Sequence, residues 1–446
     1  MIIILSFSLF FSSCNMFDDD DKLSPEENLS LQMPFTQYLI SYWRGIDIGR
    51  YQLQWSQHLS GVGSKYLVID RYGMLPIHMN DIWYLYYNYI YRDLHFMLAA
   101  ATDIDARAYR GMTRILHAYA LGFMTDTWGD VPFVTASGYY TAGSMPVYDA
   151  QADLYMEIMN QLELGIQDIN AAIQHGGFLP GPAEDPIYGG NINQWIKAAN
   201  VIQLRHLLRM SHQADNYSLA LGHITGRALF DGIHDDMVYV YDADKGQVNP
   251  HYFFKQYTRA GQFFVELLKA QDDPRIPYFL TKNPQGVYSG TAPGTGSLNS
   301  SFPGDALAGE TAPLAYITYT EQKFIEAEVY YRMGMQAMAD AAFEEAVISS
   351  LRSFDIEDPE WEATHAAIEN VSLEQIMTAK YVALFLNPEV WSDYRRTGYP
   401  QLTPYQQAPN PEIPRRFLYA DQEFNINHAN VPKNVDMYTR MWWDVE

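Results

Sequence analysis

The chain of 446 residues contains one cysteine, Cys14, so no disulfide can form within it and its stability must come from packing. Basic residues are also scarce: 29 Lys and Arg stand against 53 Asp and Glu, a formal charge of −24. Such a surface repels phosphate backbones and anionic lipid headgroups, which excludes nucleic acid as an expected partner. After residue 13 no uncharged apolar run approaches the roughly 20 residues of a membrane-spanning helix. The chain lacks His-Glu-x-x-His, the Gly-x-Ser-x-Gly nucleophile elbow and the Gly-Lys-Ser/Thr phosphate loop, and no second thiol is available for chemistry. No Pro/Gly/Ser-rich or charged linker interrupts it from residue 34 onward, so one domain is expected over 34–446.

What is present begins at the N-terminus. Residues 2–13 are apolar or small, too short to span a bilayer, and Ser12 and Ser13 suit a peptidase cutting before Cys14. The pattern predicts a signal peptide over 1–13 and a lipidated Cys14 that holds the mature chain to a membrane. The acidic run Asp18–Asp21 and the polar residues after it predict a flexible tether over 14–33.

Apolar residues make up 48% of the chain, enough for a large core, and 34 Tyr, 22 Phe and 9 Trp give it a high aromatic content. Most of these rings must pack between helices; those on irregular segments are candidate ligand contacts, because Tyr and Trp pair a flat apolar face with a polar edge. Helical spacing of apolar residues predicts helices over 81–101, 104–124, 149–172, 194–213, 216–227, 321–333, 336–350 and 373–386, hence a mostly α fold, with the first two paired antiparallel. Ala327, Tyr330, Gly334, Ala339, Phe343 and Ala346 have the spacing of one tetratricopeptide helix pair. By contrast 228–318 is rich in Gly, Pro, Asn and Asp, and long irregular segments on a helical scaffold are where binding tends to reside.

Reactive constellations are weak. His117 and His206 fall within predicted helices, where a packed histidine is the expected reading, and no zinc site is expected. The neighbours Asp235/Asp236 and Glu344/Glu345 do not share a helix face, as a glycosidase acid and base would need. The acidic stretch Asp231 to Asp244 could hold a structural calcium, although its spacing matches no regular calcium loop. No other cofactor is expected.

Several segments together carry a family resemblance. They are Ala-Arg-Ala-Tyr-Arg-Gly-Met through Thr-Asp-Thr-Trp-Gly-Asp-Val-Pro-Phe (106–133), Asp-Asp-Pro-Arg (272–275), Lys-Phe-Ile-Glu-Ala-Glu-Val-Tyr-Tyr-Arg-Met-Gly (323–334), Trp-Ser-Asp-Tyr-Arg-Arg-Thr-Gly-Tyr-Pro (391–400), Ile-Pro-Arg-Arg-Phe-Leu-Tyr (413–419) and Glu-Phe-Asn-Ile-Asn (423–427). In this order the chain resembles the SusD/RagB outer-membrane lipoproteins of Bacteroidetes, in their SusD-like branch. The resemblance implies a helical fold with tetratricopeptide-like helix pairs and long binding loops. It also implies a lipid-anchored, surface-exposed position on the outer membrane and a TonB-dependent, SusC-like barrel as partner. The implied ligand is an oligosaccharide, captured on loop aromatics without bond cleavage. Capture of peptide or another nutrient is the first alternative, and a surface glycoside hydrolase the second.

The conspicuous motifs need not be the binding site. Arg395 and Arg396 beside Asp393 and Tyr394 read as an ion-pair network locking the C-terminal segment onto the helices, and Trp128-Gly129-Asp130 as a turn. Candidate ligand contacts are Trp55, Tyr66, Arg71 and Tyr72, ahead of the long helix, and Tyr288 and Phe302 in the glycine-rich loop.

Overall fold

The computed structural model describes residues 23–137 and 144–445. Its first helix, Pro25–Gly45, begins on a capping box: Ser24 Oγ accepts the Glu27 amide at 3.2 Å and the Glu27 carboxylate accepts the Ser24 amide at 2.8 Å. Pro25 at the first helical position needs no amide partner. Leu29 and Met33 on this helix are wholly buried, so the folded body starts ahead of residue 34 and the expected tether does not extend through 25–33. Cys14 and the signal segment lie outside the described residues.

Helices dominate the described chain beyond Gly45. The expected 81–101 helix runs as Asn80–Leu85, a π-helical turn at Tyr86–Tyr91, and Arg92–Asp103, and its continuation packs on Arg107–Trp128 across a short turn. Arg107–Trp128 packs in turn on Gln151–His175. At their crossing a β-carbon on Gly111 would stand 2.7 Å from the Gly165 carbonyl oxygen, so only hydrogen there lets the two backbones approach. Ile192–Arg209 and Asn216–Gly226 continue the stack.

The tetratricopeptide-like pair is present as Tyr319–Arg332 and Gln336–Arg352. Gly334 supplies the left-handed turn between them (φ +71°), while Ala327, Ala339 and Ala346 are wholly buried at the contact and Phe324 meets Phe343 edge to face. Against this pair lies the Arg396 side chain, from the helix Glu389–Thr397. Arg396 forms a bidentate pair with Glu328, both side chains being 1% exposed, and also reaches Asp393 at 3.2 Å. Lys380 closes on Asp393 at 2.7 Å. Arg395 instead lies flat on Trp391, 3.4 Å from its ring centroid, and donates to the carbonyls of Asp126 and Arg415. The locking role expected for this motif is therefore shared between an ion pair, through Arg396, and backbone capping with ring stacking, through Arg395.

Sheet is confined to two ribbons among the described residues. β1 (Leu59–Gly61) pairs antiparallel with β3 (Thr258–Ala260), Ser60 opposite Arg259; β2 (Met237–Tyr239) pairs antiparallel with β4 (Leu314–Ile317). The β1/β3 ribbon draws the chain around residues 57–72 against 258–304, two segments far apart in sequence.

Candidate functional site

Of the six expected contact residues, three, Trp55, Tyr66 and Tyr72, are buried. Trp55 is wholly buried, its indole donating to the Ile69 carbonyl at 3.1 Å between the rings of Trp391 and Phe417. Tyr66 is buried and donates to Asp47 at 2.8 Å. Phe302 packs beneath the Arg259 guanidinium, 3.8 Å from its ring centroid. Tyr288 is half-buried at the edge of a shallow hollow that it shares with Tyr278 and Lys282. Trp55 and Tyr66 therefore give no free ring face to a ligand, because each is enclosed in the core, while Phe302 is partly buried with one face covered by Arg259.

The expectation of irregular chain fails for Trp55 and Tyr66, which stand in the short helices Asp47–Trp55 and Ser64–Asp70, and none of the six expected residues lines the cleft that their segments border. Segments 57–72 and 286–302 converge, and a third segment, 403–407, completes a cleft of about 470 Å³ with them. Tyr405 forms one wall. Its backbone amide donates to the hydroxyl of the buried Tyr72 at 3.0 Å, and the two rings meet edge to face at 6.3 Å. Tyr72 and Gln57 both sit in left-handed backbone (φ +60° each), a cost that concentrates at sites the surrounding structure must define closely. The Gln57 amide donates to the Thr403 carbonyl at 2.6 Å and so ties the third segment to the first.

The second segment is held as firmly. Arg71 is exposed, and its Nε donates to the Gly294 carbonyl at 2.7 Å. The buried Asp70 carboxylate accepts the Gly294 amide at 2.5 Å and the Ser60 hydroxyl at 2.8 Å. Burial pushes its pKa up to about 7, against the pull of those hydrogen bonds. Arg71 and Tyr72 thus act on the site as supports.

The inner surface of the cleft presents Phe263 and the half-buried Tyr405 as rings, with the amides of Gln262, Gln406 and Gln407 around them. Tyr405 donates its hydroxyl to Gln407 at 3.1 Å. Glu266 is the single carboxylate among the lining residues, and no Lys, Arg or His lines it. A glycosidase needs two carboxyl groups about 5–10 Å apart across the bond, an arrangement this lining does not offer. Flat rings flanked by neutral donors and acceptors suit an uncharged polar ligand with apolar C–H faces.

A wider cleft, about 810 Å³, lies beside the first helix between Phe35, Pro182 and Tyr239. Its tyrosine hydroxyls are engaged within the protein, Tyr239 with Gln247 and Tyr241 with Ser41. In the acidic stretch considered for calcium, Asp231, His234 and Asp235 cluster, but the Lys197 ammonium already bridges the two carboxylates at 2.9 and 2.7 Å. A lysine there supplies the positive charge a cation would bring, so these residues do not fit a calcium ion.

The segment missed in sequence, 403–407, satisfies the rule applied to the other two, an aromatic beside amides on irregular chain. Nothing local, however, shows that it closes onto residues more than 300 positions earlier.

In overall structure the chain is similar to a chitin-binding SusD homologue from Flavobacterium johnsoniae (TM-score 0.79, 19% identity, covering 94% of this chain and 98% of that one). It is similar as well to SusD homologues from Bacteroides fragilis (TM-score 0.77, 20% identity, 95% and 99% covered) and Bacteroides ovatus (TM-score 0.79, 20% identity, 94% and 99% covered). At such identities the likeness is one of fold. No curated protein matches the sequence. The family model described as starch-binding and associating with the outer membrane matches residues 35–420, and the chain belongs to that SusD-like family.

Proposed function

We propose that this protein captures an uncharged oligosaccharide at the bacterial surface in the Tyr405 cleft, without cleaving it, and passes it to a TonB-dependent, SusC-like barrel. The observation that carries the reading is the lining itself: two rings and several amides, with one carboxylate and no cation. Membership of an outer-membrane-associated family and the chitin-binding description of a relative in the fold support the ligand class.

Among the described residues no helix is long and apolar enough to cross a membrane, so attachment falls to the lipid expected on Cys14. Docking on a barrel is supported by exposed apolar side chains on two neighbouring elements, Leu75 and Ile77 beside Pro76–Met79, and Phe424 and Ile426 on Asp421–Ile426. Cys14→Ala expressed without the barrel tests the anchor. The protein should move to the soluble fraction; retention on membranes overturns that part of the reading.

Excess negative charge and Glu266 at the cleft favour a second reading, capture of cationic peptide. Calorimetric titration against oligosaccharides and a basic peptide mixture separates the two: heat from peptides alone replaces the glycan reading.

A further inference from the structure

A second cavity, about 350 Å³, lies between the β2/β4 ribbon, the tetratricopeptide-like pair and the chain at 383–387. Leu307, Leu314, Phe354, Phe385 and Leu386 give it an apolar wall. The opposite wall holds Arg44 and His251, both more than nine-tenths buried. The rim is formed by Ala306, Pro313 and Ser353, which are exposed, so the cavity reaches the surface.

Arg44 is a buried cation without its own counter-ion. Its guanidinium donates to two neutral oxygens, the Ala315 carbonyl and Asn387 Oδ1, both on the cavity wall, and its Nε has no partner. Among the described residues no carboxylate pairs with it. Glu321, whose charge reaches it, is engaged by Arg205 through two bonds of 2.7 Å, and Asp236, at the same cavity, accepts the Tyr319 amide at 2.6 Å. The His251 ring takes no hydrogen bond from the described residues. An uncompensated charge in the interior is costly, and an anion bound in the cavity would relieve it.

We infer that this cavity is a binding site for a small amphipathic carboxylate, its carboxyl end against Arg44 and His251 and its hydrocarbon part along Leu314, Phe354 and Phe385. A bare inorganic anion would leave that apolar wall unfilled, while a neutral hydrocarbon would leave the Arg44 charge uncompensated. The site is independent of the oligosaccharide cleft. Phe263 faces that cleft, whereas its neighbour Phe264 stacks on Phe385 at 4.2 Å behind the cavity wall.

Titration calorimetry of the full chain with hexanoate and with 1-hexanol tests the inference. Hexanoate should bind, and the alcohol should bind about tenfold or more weakly, as expected for loss of a hydrogen bond to a charged group. Ala306→Trp, at the exposed rim, should block hexanoate while leaving the circular dichroism spectrum and any oligosaccharide binding unchanged. Arg44→Gln should abolish the preference for the acid; should it fail to fold, the rim variant still decides. Equal affinity for acid and alcohol, no binding of either, or undiminished hexanoate binding by Ala306→Trp overturns the inference.

Discussion

The ring of Tyr405 fills the space above Gly294: a β-carbon at that glycine would stand 2.4 Å from the ring, and the backbone there is left-handed (φ +72°). The wall of the cleft is thus set by a contact between loops that only glycine permits. Gly294→Ala should displace Tyr405 and weaken oligosaccharide binding, and it should also lower the melting temperature, since Gly294 is buried in left-handed backbone and hydrogen-bonded to Asp70 and Arg71. Unchanged affinity in that variant would show that Tyr405 is not a binding wall.

Trp55 behaves differently. Enclosed by Trp391 and Phe417, it holds the segment that leads to Gln57 and Tyr72. Trp55→Ala should cost about 3–5 kcal/mol of stability, the range for emptying a large aromatic from a core. Urea denaturation reads it directly; a near-native midpoint would contradict the burial.

The Arg396–Glu328 pair joins the helix Glu389–Thr397 to the tetratricopeptide-like pair at nearly complete burial. Glu328→Ala would remove the bidentate partner of a buried guanidinium, leaving it only Asp393 at 3.2 Å, and should destabilise by about 3 kcal/mol in urea denaturation. The double variant Arg396→Met/Glu328→Leu should recover much of that loss, because it removes both charges together.

Stability should fall in mild acid. Burial holds His58, His117, His206 and His251 down to about 3, against about 6.5 in an unfolded chain. Between those values the unfolded state binds more protons, so stability present above about pH 6.5 is lost as pH falls toward 3. Asp70 and Asp236, both pushed up to about 7 chiefly by burial, act oppositely between about pH 4 and 7. Four groups outweigh two, and the urea midpoint at pH 5 should lie below that at pH 7. An equal or higher midpoint at pH 5 would show that these imidazoles reach solvent.

Helices whose packing is local were legible in the sequence, and the bodies of Arg107–Trp128, Gln151–His175 and the pair Tyr319–Arg352 lie where apolar spacing puts them. Pro25–Gly45 was not, because acidic residues and prolines at its start look like a tether, although Ser24, Pro25 and Glu27 form a capping signal. The site was half legible. The expected residues border the candidate cleft without lining it, and whether Trp55, Tyr66 or Tyr72 faces solvent depends on Trp391, Asp47 and Tyr405, two of which lie more than 300 residues away. Long-range closure of that kind leaves no local trace.

The most direct test of the account is titration calorimetry of wild-type protein and Tyr405→Ala against plant, host and microbial oligosaccharides, with reducing ends assayed on the same samples. At least one uncharged oligosaccharide should bind the wild-type protein without new reducing ends. In Tyr405→Ala that binding should be weaker by about 1–3 kcal/mol, the scale of a base stacked on an aromatic ring, at an unchanged melting temperature. Release of reducing ends, or wild-type protein silent toward every uncharged oligosaccharide, would contradict it.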